Sequence, residues 1–254
     1  MDKREQRLTA RWTLANTVSR WLNGSLSPVS QPHPRAEAFD WGDLRRLMPV
    51  SRHFGFDRGS PIDRYYVEKF LAYHTQDIHG QVLEIGDDSY TRQFGGDRVT
   101  VRDVLHVVAG NPIATIVGDL TRADHIPSNT FDCFILTQTL HLVYDVPVAL
   151  RTIHRILKPG GVVLATFPGI SQISADQWAK DWYWGFTGLS ARRLFGEIFP
   201  QTHVQVEAFG NVLTATAFLQ GLAVTELNQE ELDYHDPRYE FLITVRAVKP
   251  EGSL

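Results

Sequence analysis

The chain has 254 residues, 43% of them apolar and 11% aromatic, and its 25 basic against 29 acidic side chains leave a net charge of -4. That composition excludes a disordered chain, and it gives no basic field of the kind that grips nucleic acid phosphates. Cys133 is the single cysteine. Intramolecular disulfides and cysteine-based metal clusters are therefore excluded, and the usage fits a reducing compartment.

Leu8, Trp12, Leu14, Val18, Trp21 and Leu22 recur at roughly helical spacing among basic residues, predicting a short amphipathic helix that packs on its own domain or frays, in preference to one that touches an anionic membrane or a partner. Residues 23–40, with Pro28, Pro32 and Pro34, read as a linker, so residues 1–49 form an N-terminal extension and 50–254 the main domain. No run approaches the roughly 18 apolar residues of a spanning helix, and the N-terminus lacks the apolar centre of a signal peptide. The expected location is the cytoplasm.

Ser60, Pro61 and Asp63 mark a helix start, with Ser60 as the cap. Apolar runs at 81–85, 98–102, 114–118, 132–137, 161–167, 203–209 and 240–248 predict seven strands that alternate with helices. The helix at 146–157 is the clearest, with apolar residues at helical spacing, Asp145 as its cap and Lys158-Pro159-Gly160-Gly161 as its stop. Such alternation implies an α/β fold, a doubly wound, largely parallel sheet.

In an open α/β sheet, ligands bind beyond the carboxyl ends of the strands, so the residues after each strand carry the functional information. The first strand leads from Glu84 and Ile85 into Gly86-Asp87-Asp88-Ser89-Tyr90. The second leads to Asp103, the third to Gly118-Asp119-Leu120, and the fourth to Thr137-Gln138 with His141 beyond. An acid at the second tip suits ribose hydroxyls.

The series Gly118-Asp119, Ile126-Pro127, Phe131-Asp132, 140–145 and Leu157-Lys158-Pro159-Gly160-Gly161 resembles the class I S-adenosylmethionine-dependent methyltransferases over about residues 80–170. Residues 54–66 and 187–200 are similar to bacterial methyltransferases associated with glycosyltransferases. The resemblance implies a Rossmann-like sheet with an antiparallel last strand and S-adenosylmethionine as the methyl donor. It implies Glu84 and Gly86 at the methionine end, Asp103 on the ribose, Asp119 on the adenine amine with Leu120 beside the ring, and the backbone near Gln138 completing the pocket. It also implies an acceptor that is a small-molecule or glycan-linked hydroxyl, and an association with glycosyltransferase machinery.

The first loop departs from the family, with Asp88 and Tyr90 where glycines are usual. Asp88 is expected either to contact the donor's ammonium group or to crowd it. In the second case the chain is a non-catalytic interaction or regulatory module. The loop lacks the G-x-G-x-x-G series that a nicotinamide dinucleotide needs. His141 is the first candidate base, with Asp88 or Tyr90 as substitutes. Tyr65, Trp182 and Trp184 are candidate acceptor contacts, since their faces stack on sugars or cover an apolar acceptor. Arg58, Arg64, Arg192 and Arg193 suit an anionic group. No metal-binding spacing stands out, and Asp87-Asp88 alone is weak evidence for one.

Overall fold

The computed structural model describes Asp40 and residues 42–252. The expected helix of residues 8–22 and most of the linker lie outside the described residues. Gly42–Arg45 is one 3-10 turn. From Leu47 onward the described residues form a single compact unit.

The unit is built on a seven-stranded sheet of order β3-β2-β1-β4-β5-β7-β6, comprising β1 (Gly80–Ile85), β2 (Val99–His106), β3 (Ile116–Val117), β4 (Phe131–Thr137), β5 (Leu157–Pro168), β6 (Val204–Phe209) and β7 (Leu242–Val248). The pairs among β1 to β5 are parallel, and β7 runs antiparallel to both β5 and β6. Alternate residues of the central strands feed two separate cores. Leu83, Phe134, Leu136, Val163 and Ala165 pack on one face, while Val82, Cys133, Ile135, Val162 and Leu164 pack on the other. A sheet covered on both faces needs apolar residues at every position, which is why these strands read as continuous aliphatic runs.

Helices α1 (Ile62–Tyr73) and α4 (Val212–Leu219) contribute to the second core, while α2 (Val146–Ile156) and α3 (Gly188–Gly196) contribute to the first. Asp145 caps α2 by accepting from the Val148 amide at 3.1 Å. The expected cap of α1 is corrected: the cap position is Pro61, which bridges to Ala223, and the Ser60 carbonyl accepts from the Val224 amide at 2.8 Å. A short helix, α5 (Gln229–Asp233), precedes β7. No helix among the described residues is long and apolar enough to cross a membrane.

The strand order reverses between β1 and β4, because the chain leaves β1 for β2 and β3 on one side and returns to β4 on the other. The carboxyl ends of β1 and β4 therefore diverge from their connections and leave a crevice.

Candidate active site

Two adjoining cavities occupy that crevice. The larger, about 1040 Å³, is walled by residues following β1, β2, β3 and β4 together with the start of α1. The smaller, about 190 Å³, shares Phe56, Arg64, Gln138, Leu142 and Trp178 with it and extends toward Phe218 and Phe241.

Glu84, Gly86, Asp119, Leu120 and Gln138 all line the larger cavity. Glu84 is buried, and its carboxylate accepts from the backbone amides of Tyr90 at 3.1 Å and Thr91 at 2.7 Å. It thereby ties the first loop to the strand tip. Burial pushes its carboxyl up to about 7 against the pull of those amides. Gly86 has φ +84, and a Cβ there would meet no protein atom within 4 Å, so the backbone turns in a left-handed conformation and faces open space. Asn111 donates to the Gly86 carbonyl at 2.6 Å and fixes its orientation.

Asp119 Oδ1 accepts from both the amide and the hydroxyl of Thr121 at 2.8 Å each. This turn holds the carboxylate in place and leaves Oδ2 for a donor in the cavity. Leu120, next in sequence, presents an apolar wall. Gln138 sits at φ +46, an uncommon conformation for a side chain of this size, and its amide donates to the Thr166 carbonyl at 2.8 Å. Backbone strain of this kind concentrates where a strand end is shaped around a ligand.

Four expected placements are corrected, those of Asp103, Asp88, Tyr65 and, in the loop after β5, Trp184. Asp103 is not at a strand tip: β2 continues to His106, Leu83 pairs with Asp103, and Ile85 pairs with Leu105. The Asp103 carboxylate instead accepts from Gln81 Nε2 and Thr115 Oγ1, each at 2.8 Å, within the body of the sheet. The residue level with Gly86 is His106, which lines the larger cavity. Asp88 points away from both cavities to pair with Arg92 at 2.7 Å and Arg102 at 3.5 Å, and its neighbour Asp87 is the loop acid that faces in. Tyr65 faces α5, donating to Asp233 at 2.7 Å, and lines neither cavity.

Of the aromatic loop after β5, Trp182 lines the smaller cavity and packs on His141 with ring centroids 4.2 Å apart. Trp184 lines neither cavity. Its indole N–H donates to the Val143 carbonyl at 2.9 Å and its ring stacks on Tyr144. The loop is latched by the His141 carbonyl, which accepts from the amides of Tyr183 and Trp184 at 2.9 and 3.2 Å. His141 itself is buried and lowered to about 4 by that burial, so its ring is neutral at pH 7. Its Nδ1 is buried without a hydrogen-bond partner. Arg58 is engaged by Glu226 and Arg193 by Glu197, while Arg64 lines both cavities.

Sequence reasoning missed Asp63 and His106. His106 was signalled by the apolar pair Val104-Leu105, which prolongs β2 past Asp103. Asp63, read only as a favourable helix-start charge, is buried on the wall of the smaller cavity and accepts from Gln138 Nε2 at 3.2 Å.

The segment bearing most of this crevice has relatives. Residues 72–165 match the family described as a methyltransferase domain. The ubiquinone/menaquinone biosynthesis C-methyltransferase of Haemophilus ducreyi is 34% identical over 90 residues, 35% of this chain and 28% of that protein. The chain thus matches little more than a quarter of the curated relative's length. A SAM dependent methyltransferase structure from Archaeoglobus fulgidus superposes with a TM-score of 0.50 at 10% identity, covering 74% of this chain and 94% of that one. This likeness is one of fold, a Rossmann-like sheet with helices on both faces. Among the described residues, no group of three or more histidine, cysteine or acidic side chains is placed to hold a metal ion.

Proposed function

We propose that this chain binds S-adenosylmethionine in the larger cavity and catalyses methyl transfer to the hydroxyl of a small-molecule or glycan-linked acceptor. The observation that carries the reading is the set of groups converging on that cavity within the methyltransferase domain. Asp119 is braced with one oxygen toward the cavity, Leu120 is beside it, and Gly86 is open at the opposite strand tip. A carboxylate suits a purine amine, an apolar side chain suits the ring face, and a glycine lets backbone approach the ligand.

When bound, S-adenosylmethionine supplies an electrophilic methyl group on a sulfonium. The chain's own residues bind and orient. His106 takes the ribose-facing position expected of Asp103, since its Nδ1 already contacts the Val108 carbonyl at 2.8 Å and Nε2 remains. Asp87 faces the methionine end in place of Asp88. Glu84 holds the loop between them. Positioning of this kind lowers a barrier by about 7–11 kcal/mol without a strong acid or base.

His141 stands on the acceptor side, but a base works best with a pKa near the operating pH, and burial takes this one well below it. It serves better as a neutral hydrogen-bonding wall. Asp88 and Tyr90 do not close the cavity: Asp88 turns out to its arginines, and Tyr90 is part of the wall.

Calorimetry with S-adenosylhomocysteine tests the donor site. Incubation with methyl-labelled S-adenosylmethionine and cell extract, followed by NMR of the product, tests the reaction and separates O-methylation from the C-methylation named for the Haemophilus ducreyi protein. Absence of both binding and label transfer overturns the reading.

A further inference from the structure

The smaller cavity has a composition of its own. Apolar side chains, among them Phe54, Trp182, Phe218 and Phe241, make most of its wall, and the rings of Phe54 and Trp182 run nearly parallel, 9° apart with centroids separated by 6.4 Å. Six polar side chains interrupt this lining: Arg64, Gln138, Ser171 and Ser174, and two that are more than nine-tenths buried, Asp63 at 8% exposure and His141 at 3%. The Asp63 carboxylate accepts from Gln138 Nε2 at 3.2 Å and from the backbone amides at the start of α1, whereas the His141 ring Nδ1 has no partner at all. Buried polar groups are normally satisfied, and leaving them partly unsatisfied is costly. Phe54 and Gln138, both on this wall, also hold left-handed backbone at φ +57 and +46. A buried carboxylate, an unpartnered ring nitrogen and strained backbone on one small, mostly apolar cavity, contiguous with the donor cavity through Gln138 and Leu142, describe a site shaped for a ligand.

We propose that the smaller cavity is the acceptor pocket and that it takes a flat, mostly apolar ring bearing one hydroxyl, which donates its hydrogen bond to Asp63. A free sugar ring carries hydroxyls around its whole rim, and those that meet the aromatic and aliphatic part of this wall lose water without gaining a partner, so their desolvation opposes entry. A phenol-like ring matches the wall with its faces and Asp63 with its single donor. The assignment rests on the methyl-transfer reading for the neighbouring cavity, and it narrows the acceptor from any small-molecule or glycan-linked hydroxyl to this class. Burial pushes the Asp63 carboxyl up despite the adjacent Arg64 and the amides that donate to it.

The test is calorimetry on the full chain in two stages. S-Adenosylhomocysteine is titrated first, and its failure to bind counts against the donor-site reading alone; the probes below are then run without it. The probes are p-cresol, its donor-less near-isostere 4-fluorotoluene, and methyl glucoside. The proposal expects p-cresol to bind about tenfold or more tighter than 4-fluorotoluene, the scale of a hydrogen bond to a charged group, and tighter than methyl glucoside. Asp63→Asn should bring the p-cresol to 4-fluorotoluene ratio close to one while leaving S-adenosylhomocysteine affinity within about twofold. A residue with only a structural role would weaken both probes alike and keep their ratio. Ser174→Trp, which fills the cavity from its rim, should abolish p-cresol binding and spare the donor site. Equal affinity for p-cresol and 4-fluorotoluene in the unaltered chain, a preference for methyl glucoside, a ratio unchanged in Asp63→Asn, or p-cresol binding that survives Ser174→Trp would each overturn the proposal.

Discussion

Replacing Asp119 by asparagine changes one atom and interrogates the donor site directly. Thr121 supplies two donors to Oδ1, both at 2.8 Å. An asparagine therefore keeps its oxygen on Thr121 and turns its NH2 group toward the cavity, where the acid offers an acceptor. A hydrogen bond to a charged acceptor contributes about 1.5–3 kcal/mol, and the exposed position of Asp119 places this one near the lower end. The dissociation constant of S-adenosylhomocysteine should rise about tenfold in Asp119→Asn. Stability should change by less than about 1 kcal/mol, because the turn is preserved. The decisive comparison uses S-inosylhomocysteine, which carries a carbonyl acceptor where adenine has its amine. The native chain should prefer the adenosyl ligand by about tenfold, and Asp119→Asn should erase or invert that preference. If calorimetry finds the preference unchanged in the variant, Asp119 does not read the purine and the placement of the nucleoside is wrong.

Other consequences follow from the same geometry. Asp103→Asn should leave S-adenosylhomocysteine affinity within about twofold, whereas His106→Ala should weaken it about tenfold, the scale of a lost polar contact; the reverse order would restore Asp103 to the site. Gly86→Ala should cost about 1 kcal/mol in chemical denaturation, because φ +84 strains any side chain, and should weaken ligand binding further because the new methyl faces open cavity. Glu84 carries a folded-state pKa pushed from 4.5 to about 7, so between those values the native state holds a proton that the unfolded chain has released, and its contribution to stability falls as pH rises through that window. Denaturation across this range should therefore show a shallower decline in Glu84→Gln than in the native chain, and identical slopes would contradict the assignment. His141 has the opposite sign. With a folded pKa lowered from 6.5 to about 4, it contributes stability at neutral pH that is lost as pH falls from about 6.5 toward 4, and His141→Asn should flatten that loss.

The parts of this architecture legible in the sequence are those set by local patterning. The strands buried on both faces announce themselves as aliphatic runs, and α2 carries its cap, its period and its stop within a few residues. The tips of β1, β3 and β4 were legible for the same reason, and Glu84, Gly86, Asp119 and Gln138 do line one cavity. What escaped depended on partners distant in sequence. The end of β2 is fixed by its register against β1, not by its own residues, which moved Asp103 into the sheet and His106 to the tip. Tyr65 is turned aside by Asp233 and Gln229 on α5, more than 160 residues later. Asp88 is drawn off partly by Arg102 on the neighbouring strand. Asp63 was read as a helix-start charge, and only the approach of Phe218, Phe241 and Trp182 around the same cavity buries it.

The most direct measurement is a crystal structure of the full chain with S-adenosylhomocysteine. The account predicts the adenine amine on Asp119 with Leu120 against the ring, the ribose near His106, and the amino-acid end between Gly86 and Asp87 at the Glu84 tip. A nucleoside bound outside this crevice, or seated in the aromatic cavity beside His141 and Trp182, would contradict it.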